Sequence, residues 1–127
     1  MLFDTDILIF VQRGREEAAQ LIESSAERYI SVQTYMELLQ DAANKRQHAI
    51  ILDFLEKFAF NILPFNENIG KRAASYVEEY SLSHGIRAGD ALIAATATEH
   101  KLILATANRK HFSPLQEQGL ILHIFKP

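Results

Sequence analysis

The chain contains no cysteine, only three prolines and five glycines. Without cysteine there are no disulfides and no thiolate metal sites, a composition in keeping with a reducing cytoplasm. The scarcity of proline and glycine excludes collagen-like and low-complexity classes and leaves little sequence for long irregular loops. Apolar runs are short, as in Ile50-Ile51-Leu52, against the roughly 18–20 residues that span a bilayer, so no membrane association is expected. The start, Met1-Leu2-Phe3-Asp4, has no basic segment ahead of an apolar one and does not read as a signal peptide. Basic charge is also in deficit. Thirteen Lys and Arg against 16 Asp and Glu give a net charge of −3, which excludes a globally basic nucleic-acid binder but not a local basic rim. His48, His84, His100, His111 and His123 are scattered without metal-ligand spacing, and no G-x-S-x-G, P-loop or G-x-G-x-x-G motif occurs. What remains is 127 residues, 48% hydrophobic and 23% charged, the profile of a single globular domain over 1–127.

Periodicity outlines alternating strands and helices. Leu2-Phe3 reads as a strand ending at Asp4. Asp4 or Thr5 then caps a segment through Val11 that stops near Gly14. A helix is expected from Arg15 to about Ser25, then a short strand at Tyr29-Ile30. Ser31 caps a helix whose apolar arc is Val32, Met36, Leu39 and Ala43. Another helix spans about Gln47 to Phe58, and Phe60 to Leu63 forms a strand. A long helix runs from Asn66 or Glu67 to Gly85, followed by an alanine-rich helix from Asp90 to His100. Strands at Leu102–Ala105 and Leu120–Phe125 complete an α/β fold with a mainly parallel sheet of four or five strands.

Ligands of such sheets bind beyond the carboxyl ends of the strands, which directs attention to Asp4-Thr5-Asp6, Gly89-Asp90 and Thr106 to His111. Carboxylates converging there from separate segments repel one another unless a cation sits among them, and hard oxygen donors suit Mg²⁺ or Mn²⁺. Each acid has a plain structural reading too. Asp4 is placed to cap a helix, and Asp90 to meet the positive end of a helix dipole. Glu37 lies nearly opposite the apolar arc of its helix and shares a polar face with Asp41, the default for a solvated surface. Arg109, Lys110 and His111 form a small cationic loop, and Arg13 with Arg15 another, either of which could flank a phosphate backbone.

Four blocks, in order, resemble the signature of PIN-domain nucleases: Leu2 to Ile9, Tyr35-Met36-Glu37-Leu38, Ala88 to Ala97, and Leu104 to Phe112. The small size resembles the VapC branch, the toxins of toxin–antitoxin pairs. The third block is the most specific. The resemblance implies a three-layer α/β/α fold and hydrolysis of RNA phosphodiesters. It places the metal-binding acids on Asp4, Glu37 and Asp90, with Mg²⁺ as cofactor and Mn²⁺ as substitute. The fourth acidic position falls on Asn108, where an amide would orient water. Asp6 stands where the family more often has Asn or Ser and offers a compensating carboxylate or a cap. Thr106 matches a hydroxyl position near the site, where it would hold water or a phosphate oxygen, and the cationic Arg109 and Lys110 noted above follow this block. The resemblance further implies a homodimer held inactive by a small antitoxin.

The segment Ile50 to Phe58 supports a partner on its own terms. Its apolar residues cover about 200° of a helical wheel, wider than the roughly 100° that one core face needs. Two other functions compete with the nuclease. A degenerate PIN domain, inactivated by Asn108, would serve as an RNA- or protein-binding module. A phosphatase of the haloacid-dehalogenase type would use Asp4 as nucleophile and Asp6 as acid, although Thr106 then follows Gly89-Asp90 in the wrong order.

Overall fold

The computed structural model describes residues 1–127. Its strands are β1 (Leu2–Phe3), β2 (Arg28–Ser31), β3 (Phe60–Leu63), β4 (Ile103–Thr106) and β5 (Ile121–Ile124). They form one sheet in the order β3-β2-β1-β4-β5, with every neighbouring pair parallel. Parallel neighbours need crossovers, and helices supply them. Helices α1 (Thr5–Gln12), α2 (Glu16–Ser24), α3 (Val32–Asp41) and α4 (Lys45–Lys57) follow β1 and β2. Helices α5 (Glu67–His84) and α6 (Ala88–Glu99) connect β3 to β4. Alternation along the strands divides the core between the two faces. Leu2 and Leu104 pack with α5 and α6, whereas Phe3, Ile30 and Ala105 pack with α1 to α4. The expected three-layer α/β/α arrangement is present.

Local chemistry sets most boundaries. Asp4 caps α1 through the Thr5 amide, Ser31 caps α3 through Gln33, and Asn66 caps α5 through Ile69. Gly85 ends α5 in the left-handed region, at φ 70°, where a side chain is disfavoured.

Three expectations need correction. First, α3 is rotated from the arc read off its apolar residues. Thr34 and Leu38 are buried while Met36 is 45% exposed. The Thr34 hydroxyl finds a partner in Thr5 across the α1–α3 contact, at 3.0 Å, so a polar residue can occupy the buried face. Second, Arg109, Lys110 and His111 are not in a loop. They form a one-turn helix, α7 (Arg109–Phe112), capped by Asn108, and a 3-10 segment (Ser113–Gln118) follows it. Third, α6 starts at Ala88, so Asp90 lies within its first turn.

Helix α6 lies between the sheet and α5, and Ala91, Ala94, Ala95 and Ala97 have essentially no exposed surface. Ala94→Leu therefore overpacks this layer and is expected to lower stability by about 1–3 kcal/mol in denaturant unfolding. Leu82→Ala, at a fully exposed position of α5, should stay within about 0.5 kcal/mol of the parent.

Candidate active site

The chain builds β1, β2 and β3 outward on one side, then returns to place β4 and β5 on the other side of β1. The crevice beyond the carboxyl ends of β1 and β4 is therefore the point where the winding reverses, the usual ligand position in such sheets. Asp4 directly follows β1, and Thr106 ends β4.

Asp4 is 6% exposed, and both of its oxygens are engaged. Oδ1 accepts from the Thr5 amide at 2.7 Å, and Oδ2 accepts from Thr106 Oγ1 at 2.7 Å. Thr106 is fully buried, and its oxygen also accepts from the Asn108 amide at 3.0 Å. Its hydroxyl is committed to positioning Asp4 and is not free to hold a phosphate oxygen. Asp6 Oδ2 accepts from the Ala107 amide at 2.9 Å and lies 3.3 Å from Thr106 Oγ1, while its buried Oδ1 has no partner.

Glu37 points inward, against the expectation of a solvated face. The rotation of α3 that buries Thr34 brings the Glu37 carboxylate to Thr5 Oγ1, which donates to Oε1 at 2.8 Å. Gly89 lets α6 approach this side chain. A Cβ there would stand 3.1 Å from Gln33 Nε2 and 3.7 Å from Glu37 Oε2. Asp90, one residue later, pairs with His111 Nδ1 at 3.0 Å. Asn108 does not point at open solvent. Its Oδ1 accepts from the His111 amide at 3.2 Å, and its Nδ2 lies 2.9 Å from His111 Nδ1.

The four acids therefore share one neighbourhood, and their electrostatics reflect it. Burial pushes the Asp4 carboxyl well above the ordinary carboxylate range, with the nearby charges of Asp6 and Asp90 adding to the effect. Burial also raises Asp6, and it raises Glu37 with a contribution from Asp90. His111 is the one basic side chain paired with any of them. The side chains do not form a ready cage, since no three acids or histidines surround one ion-sized space. Glu37 is turned to Thr5 and Asp90 to His111, and a shared ion would replace those bonds. By chemistry the donor set fits a divalent ion: carboxylates from separate segments, with Asp4, Asp6 and Glu37 raised by burial and the unpartnered Asp6 oxygen among them.

The rest of the sequence-derived set divides. Arg109 and Lys110 are exposed on α7 beside the site. Arg13 and Arg15 follow the far end of α1, about 12 Å along the helix from Asp4, and Arg15 lies over the Phe10 ring. They do not flank the crevice. Sequence reasoning missed Thr5 and Thr34 as supports for Glu37, and His111 as the partner of Asp90. An isolated histidine shows no ligand spacing, so only its position after Asn108 could have drawn notice.

Residues 1–116 match the PIN domain family, and the chain belongs to that family. Among curated proteins, ribonuclease VapC10 of Mycobacterium tuberculosis is 36% identical over 93% of this chain and 89% of its own length. Ribonuclease VapC1 of Rickettsia felis is 35% identical over 91% and 90%. Among solved structures, a toxin–antitoxin complex from Klebsiella pneumoniae contains a chain 35% identical to this one, with a TM-score of 0.76 and coverage of 88% and 89%.

Because the folded-state carboxyl of Asp6 titrates above its unfolded value, the folded state holds its proton to higher pH, and stability falls as pH rises from about 4 through the raised value. Asp6→Asn keeps the oxygen that accepts from Ala107 and removes the charge at the orphan position. Metal-free Asp6→Asn should melt several degrees above the parent at pH 8, at about 3–5 °C per kcal/mol. The gap should close towards pH 4 in thermal unfolding scans.

Proposed function

We propose that this chain is a divalent-metal-dependent endoribonuclease, using Mg²⁺ with Mn²⁺ as substitute, and the toxin of a toxin–antitoxin pair. The observation that carries the reading is the gathering of Asp4, Glu37 and Asp90 at the switch point of the sheet, with Asp4 buried and charge-stressed. The names of the M. tuberculosis and R. felis relatives support RNA as substrate, and the K. pneumoniae complex supports an antitoxin partner.

Asp4, Glu37 and Asp90 would hold the ion. A bound divalent ion supplies Lewis-acid polarisation of the phosphate and eases deprotonation of the attacking water. The protein's own residues do the positioning. The Thr5 amide and the Thr106 hydroxyl fix both oxygens of Asp4, which suits a ligand held in place and not a free phosphoryl-accepting nucleophile. Thr5 and Thr34 orient Glu37. Arg109 and Lys110 offer the nearby positive charge for a phosphate backbone, and their exposure leaves them free to move with it. Asn108 caps α7 through the His111 amide, and the acids Asp4, Glu37 and Asp90 remain without a fourth at its position.

An apolar groove between α1, α3 and α4, lined by Ile9, Leu38, Ile50 and Ile51 and continued by Phe54, is the place we assign to the antitoxin. Ile50 is 57% exposed at its rim, the surplus apolar surface anticipated for α4. We place the protein in the cytoplasm as a homodimer, as the family resemblance implies. Sedimentation should return twice 14.4 kDa.

Asp4→Asn is expected to reduce RNA cleavage at least about a hundredfold while the far-ultraviolet circular dichroism stays native, and excess EDTA should abolish cleavage by the parent. Full cleavage in either case overturns the metal-nuclease reading. Ile50→Glu should weaken antitoxin binding about tenfold or more in calorimetry and leave cleavage by the free toxin unchanged.

A further inference from the structure

His111 has a side-chain environment that its hydrogen bonds alone do not resolve. Phe112, fully buried beside it, and the Asn108 cap hold the short α7 turn in place. Because Asn108 Oδ1 accepts from the His111 amide, the Asn108 NH₂ group faces the imidazole, 2.9 Å from Nδ1. Asp90 Oδ2 stands 3.0 Å from the same nitrogen. A ring nitrogen carries either a proton or a lone pair. With a proton, Nδ1 serves Asp90 and opposes the amide hydrogens. With a lone pair it serves Asn108 and confronts the carboxylate. One neighbour is mismatched in either tautomer.

A cation between Nδ1 and Asp90 Oδ2 would relieve the mismatch with the carboxylate by making ligands of both, the Nδ1 lone pair then serving the cation in place of the Asn108 amide. Their separation suits that role: adjacent corners of an octahedron with bonds of about 2.1 Å are about 3.0 Å apart. Asn108 would remain anchored through Oδ1, with its N–H available to a solvent oxygen. We propose that His111 supplies a nitrogen ligand beside Asp90, so that the site prefers Mn²⁺ to Mg²⁺ more strongly than its carboxylates alone would dictate. This rests on the metal-dependent reading above. The physical reason is that Mg²⁺ holds to oxygen donors, whereas imidazole favours first-row transition ions.

The test uses the full chain at one fixed pH near neutrality, with each metal ion alone as the probe. Calorimetry gives the ratio of Mn²⁺ to Mg²⁺ affinity for the parent, His111→Ala, His111→Gln and Asp4→Asn, with circular dichroism confirming the fold. Pulsed electron paramagnetic resonance of bound Mn²⁺ reads nitrogen coordination directly. The parent should show ¹⁴N modulation, and both His111 variants should lose it while the affinity ratio falls about tenfold. Bound Mn²⁺ without a nitrogen signal, an unchanged ratio, or tighter binding of both ions in His111→Gln would each overturn the proposal. If binding in those cases is still lost in Asp4→Asn, the metal-nuclease reading stands without it. If the parent binds neither ion, both readings fall together.

Discussion

The hydroxyl of Thr106, donating to Asp4 Oδ2, joins residues 102 positions apart across the ends of two adjacent strands. It is the contact through which the sheet acts on the site. Asp4 leaves β1 where the chain must turn into α1, and Thr106 leaves β4 where it must turn towards α7. Their parallel register, Leu2 with Leu104 and Phe3 with Ala105, brings both turns to the same end of the sheet. The bond then holds one carboxylate in a fixed, buried orientation, and the Ala107 amide, one residue on, does the same for Asp6.

Holding acids this way costs stability in the absence of a cation. Burial raises three of the four carboxyls, neighbouring charge adds to it at Asp4 and Glu37, and one oxygen of Asp6 has no partner. Perturbed carboxyls of this kind cluster where ligands bind, although structural ion networks perturb them too. The rest of the architecture makes that arrangement tolerable. The alanine-rich α6 packs tightly between the sheet and α5, and Gly89 admits α3 closely enough for Glu37 to lie near Asp90. Small residues chosen for packing thus also set the spacing of charges.

The fold was largely legible from the amino-acid order. Capping residues, Gly85 and the short apolar strands mark their elements directly, because each acts through bonds and torsions within a few residues. Four ordered blocks also pointed to Asp4, Glu37 and Asp90, and the fold brings these acids into one neighbourhood. Helix α3 shows where such reading stops. A wheel built on apolar residues put Met36 inside and Glu37 outside, but a hydroxyl pair between Thr5 and Thr34 occupies the interface and turns the helix. The wheel cannot weigh a polar contact whose partner lies on another helix.

The distinction is one of range. By itself the chain order determined the succession of strands and helices, the parallel sheet they imply and the acids available to it, since these follow from periodicity and local capping. Tertiary structure alone decided which way Glu37 faces, that Thr106 serves Asp4, that Arg13 and Arg15 lie away from the crevice, and that His111 meets Asp90. Each of these depends on side chains brought together by packing between distant segments, and no spacing along one segment encodes it.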